Sequence, residues 1–153
     1  MKNRRSDEKN RMSISLPAIS VNEGMARSAV AAFCAQQDPS TAELADVKCA
    51  VSEAVTNCIV HAYPDSAGMI YITVVLYADG TVRVVIKDKG CGIADVRRAR
   101  EPLFTTDAAG ERSGMGFTVM ENFMDGLAVR SRLGQGTTVI MTKRIGNGPF
   151  EKE

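Results

Sequence analysis

The chain has 153 residues, a length that corresponds to one domain with a substantial hydrophobic core. Hydrophobic residues make up 44% and charged residues 24%, proportions that exclude wholesale disorder. The 19 basic and 18 acidic side chains leave a formal net charge of +1, which argues against a nucleic-acid binder driven by bulk charge. No apolar stretch is long enough to span a bilayer and no signal peptide is visible, so we expect a cytoplasmic protein.

The cysteines are Cys34, Cys49, Cys58 and Cys91, and they contain no Cys-x-x-Cys pair. Because His61 is the only histidine, a zinc site is not expected. The residues are therefore predicted to be small buried hydrophobes that carry free thiols.

The chain begins with charged residues and ends with polar, glycine-containing ones. We expect a mobile polar arm over 1–12, one domain over 13–145 and a frayed tail over 146–153. A short first strand around Ile14 should stop at Pro17.

Two capping boxes predict two successive helices. Ser20 is followed three residues later by Glu23, and Ser40 by Glu43, the spacing at which both side chains bond to the helix N-terminus. Apolar residues at helical spacing follow each box. The helices should cover about 21–37 and 41–61.

Two hairpins and two further helical segments follow. Strands over 69–77 and 81–87 flank an Asp-Gly turn, and strands over 127–133 and 137–143 flank a second glycine turn. Strands joined by tight turns are antiparallel, which predicts an α+β two-layer sandwich with helices on one face of a mixed, mainly antiparallel sheet. The segments between the hairpins are a glycine-rich turn over 88–92, a basic helical patch over 95–101 and a helix over 115–124.

The second predicted helix has one apolar and one polar face. Glu53, Asn57 and His61 share the polar face. Beside them lie Cys49, Ala50 and Val60, which suit a shallow, partly dry pocket better than open solvent. An ordinary solvated face remains the alternative at this point. The predicted core stripe consists of Leu44, Val47, Val51, Val55 and Cys58.

Asp88 continues the parity of the buried side chains within 82–86, so it should emerge on the helix-facing side of the sheet. A carboxylate there is costly unless hydrogen-bond donors meet it. Gly90 and Gly92 permit the close approach of a backbone or a flat ligand. A plain strand end followed by a turn explains the same residues equally well.

A glycine-rich loop over 110–116 opens the helix over 115–124. Free N–H groups and the positive end of the helix dipole make such a loop an anion site, and Arg112 adds a fork-shaped charge. The P-loop pattern is not present, so this loop alone is a weak signal.

Taken in order, these motifs resemble the Bergerat ATP-binding superfamily of gyrase, MutL and histidine kinases. The runs SEAVTNCIVHAY, EPLFTT and ERSGMGFTVMENFMD are similar to the serine-kinase anti-sigma factors of spore-forming bacteria. The resemblance covers about residues 13–144. Its motifs are Glu53-x-x-x-Asn57, Asp88-x-Gly90-x-Gly92, Gly114-x-Gly116 and Gly136-Thr137-Thr138.

The resemblance implies a site for the base of ATP. Asp88 would accept the adenine amino group, and Thr137 would support it from the neighbouring strand. Gly90 and Gly92 would make room for the base.

The resemblance also implies a phosphate and metal site. Asn57 would give its amide oxygen to Mg²⁺, and Glu53 would orient or deprotonate the attacking serine hydroxyl. The loop that ends at Gly116 would be the lid over the phosphates. Its implied ATP-binding residues are Thr105, Thr106, Arg112, Ser113, Gly114, Met115 and Gly116.

The activity implied is that of a homodimeric serine kinase that holds sigma F inactive and phosphorylates an anti-anti-sigma factor during the control of sporulation. Contact with nucleic acid or a membrane is not expected. Two alternatives stay open: a stress-response relative that acts on sigma B, and an ATP-gated binding module without phosphotransfer. The homodimer should form through the sheet face of Tyr71, Thr73, Val75 and Tyr77.

Overall fold

The structure, a computed structural model, describes residues 7–64, 68–101 and 115–146. Within these ranges five strands form one sheet in the order β1-β2-β3-β5-β4, and every neighbouring pair is antiparallel. The sequence had allowed a mixed sheet, but the described strands contain no parallel pair. The strands are β1 (Glu8–Pro17), β2 (Met69–Tyr77), β3 (Thr81–Asp88), β4 (Gly126–Arg132) and β5 (Gly136–Arg144).

The helices pack on one face of this sheet and bury its alternate apolar side chains. Ile72 of β2, Val84 of β3 and Met141 of β5 are almost fully buried beneath Val51 and Met120 of two different helices. The two-layer α+β architecture predicted from the hairpins is thereby confirmed. The helices are α1 (Val21–Cys34), α2 (Thr41–Asn57), α3 (Val96–Ala99) and α4 (Gly116–Phe123). No helix in the described part of the chain is both long and apolar enough to cross a membrane.

Strand β1 begins earlier than the sequence predicted. Residues 8–12 were expected to belong to a mobile arm, but the strand starts at Glu8 and pairs with β2 as far as Pro17 opposite Met69. The first half of β1 is exposed and polar, so its hydrophobic pattern does not mark it as a strand. Pairing with β2 explains why these polar residues form a strand. The backbone of β2 continues to Tyr77 and offers hydrogen bonds to the first half of β1.

The two predicted capping boxes have different outcomes. At Ser40 the box is complete: Glu43 N donates to Ser40 Oγ over 3.1 Å, and Ser40 N donates to Glu43 Oε1 over 2.9 Å. At Ser20 the prediction is wrong, because the residue has helical backbone angles and its side chain caps nothing. Glu23 instead contacts Ser52 of α2, so tertiary contact replaces the local one.

Helix α2 confirms its predicted core stripe and corrects the pocket face. Val47, Val51 and Val55 are fully buried, but so is Ala50, which therefore belongs to the core and not to the pocket. The α-helix ends at Asn57 and continues as a π-helical turn over Cys58–Ala62, where the sequence predicted an unbroken helix.

All four cysteines are free. Cys34 and Cys58 are buried, as predicted, whereas Cys49 and Cys91 are exposed, which corrects the expectation of four buried thiols. Burial raises the pKa of Cys34 to about 12.

Candidate active site

A cleft of about 520 Å³ opens between the end of α2, the glycine-rich turn after β3, α3 and the start of α4. Its floor is the end of the sheet and its walls are mainly apolar, as is typical of small-molecule sites. Six of the predicted site residues line it: Asn57, Asp88, Gly92, Met115, Gly116 and Thr137.

Asp88 lies at the floor with only 5% of its surface exposed. Its Oδ1 accepts hydrogen bonds from Gly90 N over 3.0 Å and from Thr137 N over 3.1 Å. Its Oδ2 accepts from the thiol of Cys58, a weak donor, over 3.6 Å. The predicted parity is confirmed, and the two backbone donors explain how a carboxylate is tolerated on the apolar side.

Oδ2 is therefore the oxygen with hydrogen-bonding capacity left for a ligand, since each carboxylate oxygen accepts about two bonds. The Cys58 thiol is less acidic than usual in this position. Burial, followed by the negative charge of Asp88, raises the pKa of the Cys58 thiol well above its usual range. The thiol thus stays protonated and continues to donate to Oδ2.

The glycines of the turn are required by the packing of the chain on itself. A Cβ on Gly90 would lie 2.2 Å from the carbonyl oxygen of Ala62, and a Cβ on Gly92 would lie 2.2 Å from that of Arg132. Gly92 also has a φ of +75°, which other residues rarely adopt. Backbone atoms occupy the space beside these two glycines. The packing of the chain on itself therefore explains why glycine is needed there, without a bound nucleotide base.

Gly136, at the start of β5, closes the same end of the sheet. A Cβ there would lie 2.2 Å from the carbonyl oxygen of Asp88, and its φ is +103°. This close approach brings Thr137 within hydrogen-bonding distance of Asp88.

Asn57 and the N-terminus of α4 line another part of the cleft, and Glu53 lies beside them. A Cβ on Gly116 would lie 3.4 Å from the side-chain amide atoms of Asn57 and 3.4 Å from Oε2 of Glu53. The two polar side chains therefore lie against the first turn of α4, as the shared helical face predicted. Asn57 lines the cleft, whereas Glu53 lies one helical turn earlier and is not among the described lining residues.

The remaining predicted residues are not part of this geometry. Gly90 is close to Asp88 but is not among the described residues that line the cleft. Five predicted residues lie outside the described ranges: Thr105, Thr106, Arg112, Ser113 and Gly114.

Sequence reasoning missed four residues in or beside the cleft. Cys58 was assigned to the core stripe, yet it also contacts Asp88. Tyr63 donates to Met69 O over 2.9 Å and accepts from Lys89 N over 2.7 Å, which fixes the turn after β3. Ile93 and Arg98 also line the cleft. No local pattern marks Cys58, Tyr63 or Ile93, since each acts through a contact more than five residues away.

The residues that line the cleft can hold an adenine nucleotide. The buried carboxylate oxygen at the floor accepts an amino group, and apolar side chains such as Ile93 and Val139 can cover a flat base. The described residues contain no cluster of three or more His, Cys, Asp or Glu that could hold a metal ion by themselves. A metal here would take one oxygen from Asn57 and the others from phosphate and water, which is the usual mode of Mg²⁺.

Comparison with known families agrees with this geometry. The family described as "Histidine kinase-like ATPase domain" matches residues 16–143. The chain therefore belongs to this family of ATPase domains, and ATP binding is the property that the family implies.

Within that class, the chain is similar to proteins named "Anti-sigma F factor". It is 54% identical over 138 residues to the protein of Geobacillus sp. (strain WCH70), covering 90% of this chain and 94% of that protein. It is 49% identical over 140 residues to the protein of Priestia megaterium, covering 91% of this chain and 95% of that protein. These similarities support an anti-sigma factor role.

Solved structures share the fold at low sequence identity. The crystal structure of the RsbU and RsbW domains of Rv1364c from Mycobacterium tuberculosis aligns with a TM-score of 0.66 at 22% identity, over 90% of this chain and 33% of that one. The histidine kinase domain from Erythrobacter litoralis EL346 aligns with a TM-score of 0.54 at 19% identity, over 80% of this chain and 61% of that one. Both confirm the fold alone.

Proposed function

We propose that this chain is a cytoplasmic, ATP-dependent anti-sigma factor that binds sigma F and phosphorylates a serine of an anti-anti-sigma factor in the control of sporulation. The observation that carries the proposal is one cleft that holds both a buried carboxylate, Asp88, and the amide of Asn57, with Glu53 beside Asn57 at the start of α4. The similarity to anti-sigma F factors over 90% of the chain supports the choice of partners.

The base end selects adenine. Asp88 Oδ2 accepts the exocyclic amino group of adenine, while the two backbone N–H groups on Oδ1 keep the carboxylate fixed. Thr137 supports the same edge of the base, and the apolar walls exclude water from it.

The phosphate end places two polar side chains where the first turn of α4 begins. Asn57 supplies an amide oxygen to Mg²⁺, and the bound ion would neutralise phosphate charge as the phosphoryl group transfers. Glu53 orients the serine hydroxyl of the substrate protein and accepts its proton. Backbone N–H groups at Met115 and Gly116, at the positive end of α4, attract the phosphates.

A homodimer is part of the proposal. The sheet face without helices exposes parts of Tyr71, Thr73 and Tyr77, and its centre includes Ile140 of β5 beside Val85 of β3. Val75, which the sequence also assigned to the exposed part of this face, is buried. Apolar side chains of this kind on an uncovered face favour burial against a second copy.

A second candidate function is an ATP-gated binding module without phosphotransfer. The position of Glu53 beside Asn57, and not among the described lining residues of the cleft, favours this candidate. The two candidates differ only in the transfer of phosphate, not in nucleotide binding.

The test uses the purified full-length chain, γ-labelled ATP, Mg²⁺, and the sigma F and anti-anti-sigma proteins of the same organism. We expect ATP-dependent capture of sigma F and transfer of label to a serine of the anti-anti-sigma protein. Capture without transfer would support the binding module. Neither capture nor transfer, with ATP bound, would overturn the proposed function.

A further inference from the structure

Ser131 of β4 carries a side-chain hydroxyl and belongs to none of the sequence motifs described above. It alternates with the exposed Arg130 and Arg132, so its side chain faces the helices. Its Oγ accepts from Ile93 N over 2.7 Å and donates to Gly136 O over 3.0 Å. The same Oγ lies 2.8 Å from Oγ1 of Thr137.

These three contacts use the whole hydrogen-bonding capacity of the hydroxyl. A serine hydroxyl has one proton and two lone pairs. The carbonyl of Gly136 can only accept, so it takes the proton, while the N–H of Ile93 occupies one lone pair. The remaining lone pair must accept, and therefore Thr137 is the donor in the Ser131–Thr137 contact.

The direction of that bond sets what Thr137 offers to the cleft. Once its proton is bonded to Ser131, the Thr137 hydroxyl has only lone pairs left and is an acceptor. Thr137 lines the cleft, and its backbone N–H is bonded to Asp88, whose Oδ2 is also an acceptor. Two acceptors at one end of the floor match a base that carries an amino group and disfavour one that carries a carbonyl there.

We infer that Ser131 is a positioning residue that fixes Thr137 as a hydrogen-bond acceptor and thereby strengthens the selection of an amino-purine over an oxo-purine nucleotide. The inference rests on the proposed function, in that it takes the cleft to bind the base of ATP. Ser131 acts through Thr137, and through Ile93 it also ties the start of the cleft wall to the sheet.

The test compares ATP with inosine triphosphate, which has a carbonyl in place of the adenine amino group. Affinities of both nucleotides, with Mg²⁺, are measured by calorimetry on the full chain and on Ser131→Ala and Ser131→Thr. Ser13→Ala is the matched control, because Ser13 Oγ makes a similar hydroxyl contact with Thr73 Oγ1, at 3.3 Å, on the other face of the sheet.

We expect Ser131→Ala to lower ATP affinity about tenfold and to lower the ratio of ATP to inosine triphosphate affinity by about three- to tenfold. The ratio falls because the released Thr137 hydroxyl can rotate and donate to the carbonyl. Ser131→Thr should restore the ratio, and Ser13→Ala should leave it at the parent value. If Ser131→Ala does not fold, Ser131→Cys, whose thiol is a weak substitute, should show the same fall.

An unchanged ratio in the folded variant, even with weaker binding of both nucleotides, would overturn the inference and leave Ser131 with a structural role only. That result would not touch the proposed function, since the parent chain would still prefer ATP. If the parent chain itself binds both nucleotides equally, the assignment of the base site is wrong, and the inference falls with it.

Discussion

The backbone N–H of Thr137 donates to Oδ1 of Asp88 across a sequence separation of 49 residues. Strand β5 therefore determines which oxygen of the carboxylate is occupied by the protein and which is left for the ligand. The first prediction follows from this division of the two oxygens.

ATP and ADP should bind with Mg²⁺, and GTP should bind at least about tenfold more weakly, because an unpaired buried acceptor costs about 1–3 kcal/mol. Asp88→Asn should weaken ATP binding by a similar factor, since the amide must present an N–H either to the backbone donors or to the adenine amino group. A competition titration measures both effects, with thermal unfolding as the check that the variant is folded. Equal affinity for ATP and GTP in the parent chain would contradict the assignment of Asp88.

Sigma binding and phosphate transfer should be separable at Glu53. Glu53→Gln keeps the size of the side chain but removes its ability to take a proton, so transfer should fall about 10²–10⁴-fold. ATP binding and sigma F capture should change little. Label transfer to the anti-anti-sigma protein is the measurement.

Asn57→Asp is the comparison for that experiment, because it alters the charge beside the metal and should disturb binding and transfer together. A Glu53→Gln variant that phosphorylates at the parent rate would show that Glu53 is only a neighbour of Asn57.

Ser40 and Ser20 form a natural pair for measuring the value of a helix cap. Ser40→Ala should lower the free energy of unfolding by about 1 kcal/mol, since it removes the acceptor for Glu43 N. Ser20→Ala should change it by much less, because Ser20 makes no cap bond. Urea unfolding of both variants measures the difference, and equal effects would contradict it.

The cap at Ser40 should also depend on pH. The bond from the Ser40 backbone N–H lowers the pKa of Glu43 in the folded state. The ionised Glu43 side chain therefore stabilises the fold above the pKa of a glutamate in the unfolded chain. This stabilisation is lost as the pH falls through the lowered pKa of Glu43 in the folded state. Unfolding of Glu43→Gln should show a weaker acid dependence than the parent.

How much of this architecture the sequence predicts depends on the range of the forces involved. The hairpin joining β2 and β3 was predictable because Asp79-Gly80 is a local turn signal between two apolar runs, and the position of Asp88 followed from simple alternation. Ser20 carries the same local cap signal as Ser40, but contact with another helix decides its outcome.

The glycines of the site also show that a local sequence signal does not identify the distant group that it will contact. Gly90 and Gly92 were correctly marked as points of close approach, but the group that approaches could not be read from the sequence. It is the backbone of Ala62 in one case, 28 residues away in the chain, and of Arg132 in the other, 40 residues away. Cys58 was missed for a related reason, since a buried thiol looks the same in a core stripe as beside a carboxylate.

The thiols should divide into two reactivity classes. Cys49 and Cys91 are exposed, whereas burial raises the pKa of Cys34 to about 12 and also raises the pKa of Cys58. Near pH 8 a maleimide should label the first two in the folded chain, and all four in urea. ATP should slow labelling of Cys91, which lines the cleft, but not of Cys49. Mass spectrometry of the labelled peptides decides this, and rapid labelling of Cys58 would contradict it.

The proposed dimer should depend on the open face of the sheet. Ile140 pairs with Val85 and Ala128 in the middle of that face, so Ile140→Asp should shift the chain towards monomer. Val21→Asp is the control, because Val21 is 76% exposed at the start of α1, away from the open face of the sheet. Sedimentation at tens of micromolar measures the mass of both variants. A monomeric parent chain would rule out the dimer.

The π-helical turn over Cys58–Ala62 is an α-helix that carries one residue too many for its last turn. That extra residue rotates the chain so that Ala62 O accepts from Cys91 N over 3.0 Å and lies against Gly90. Deleting one residue there would make the helix regular but would turn this carbonyl away by about 100°. Helix length and the glycine at position 90 should therefore vary together: a relative that lacks the extra residue is free to replace this glycine, and one that keeps it is not.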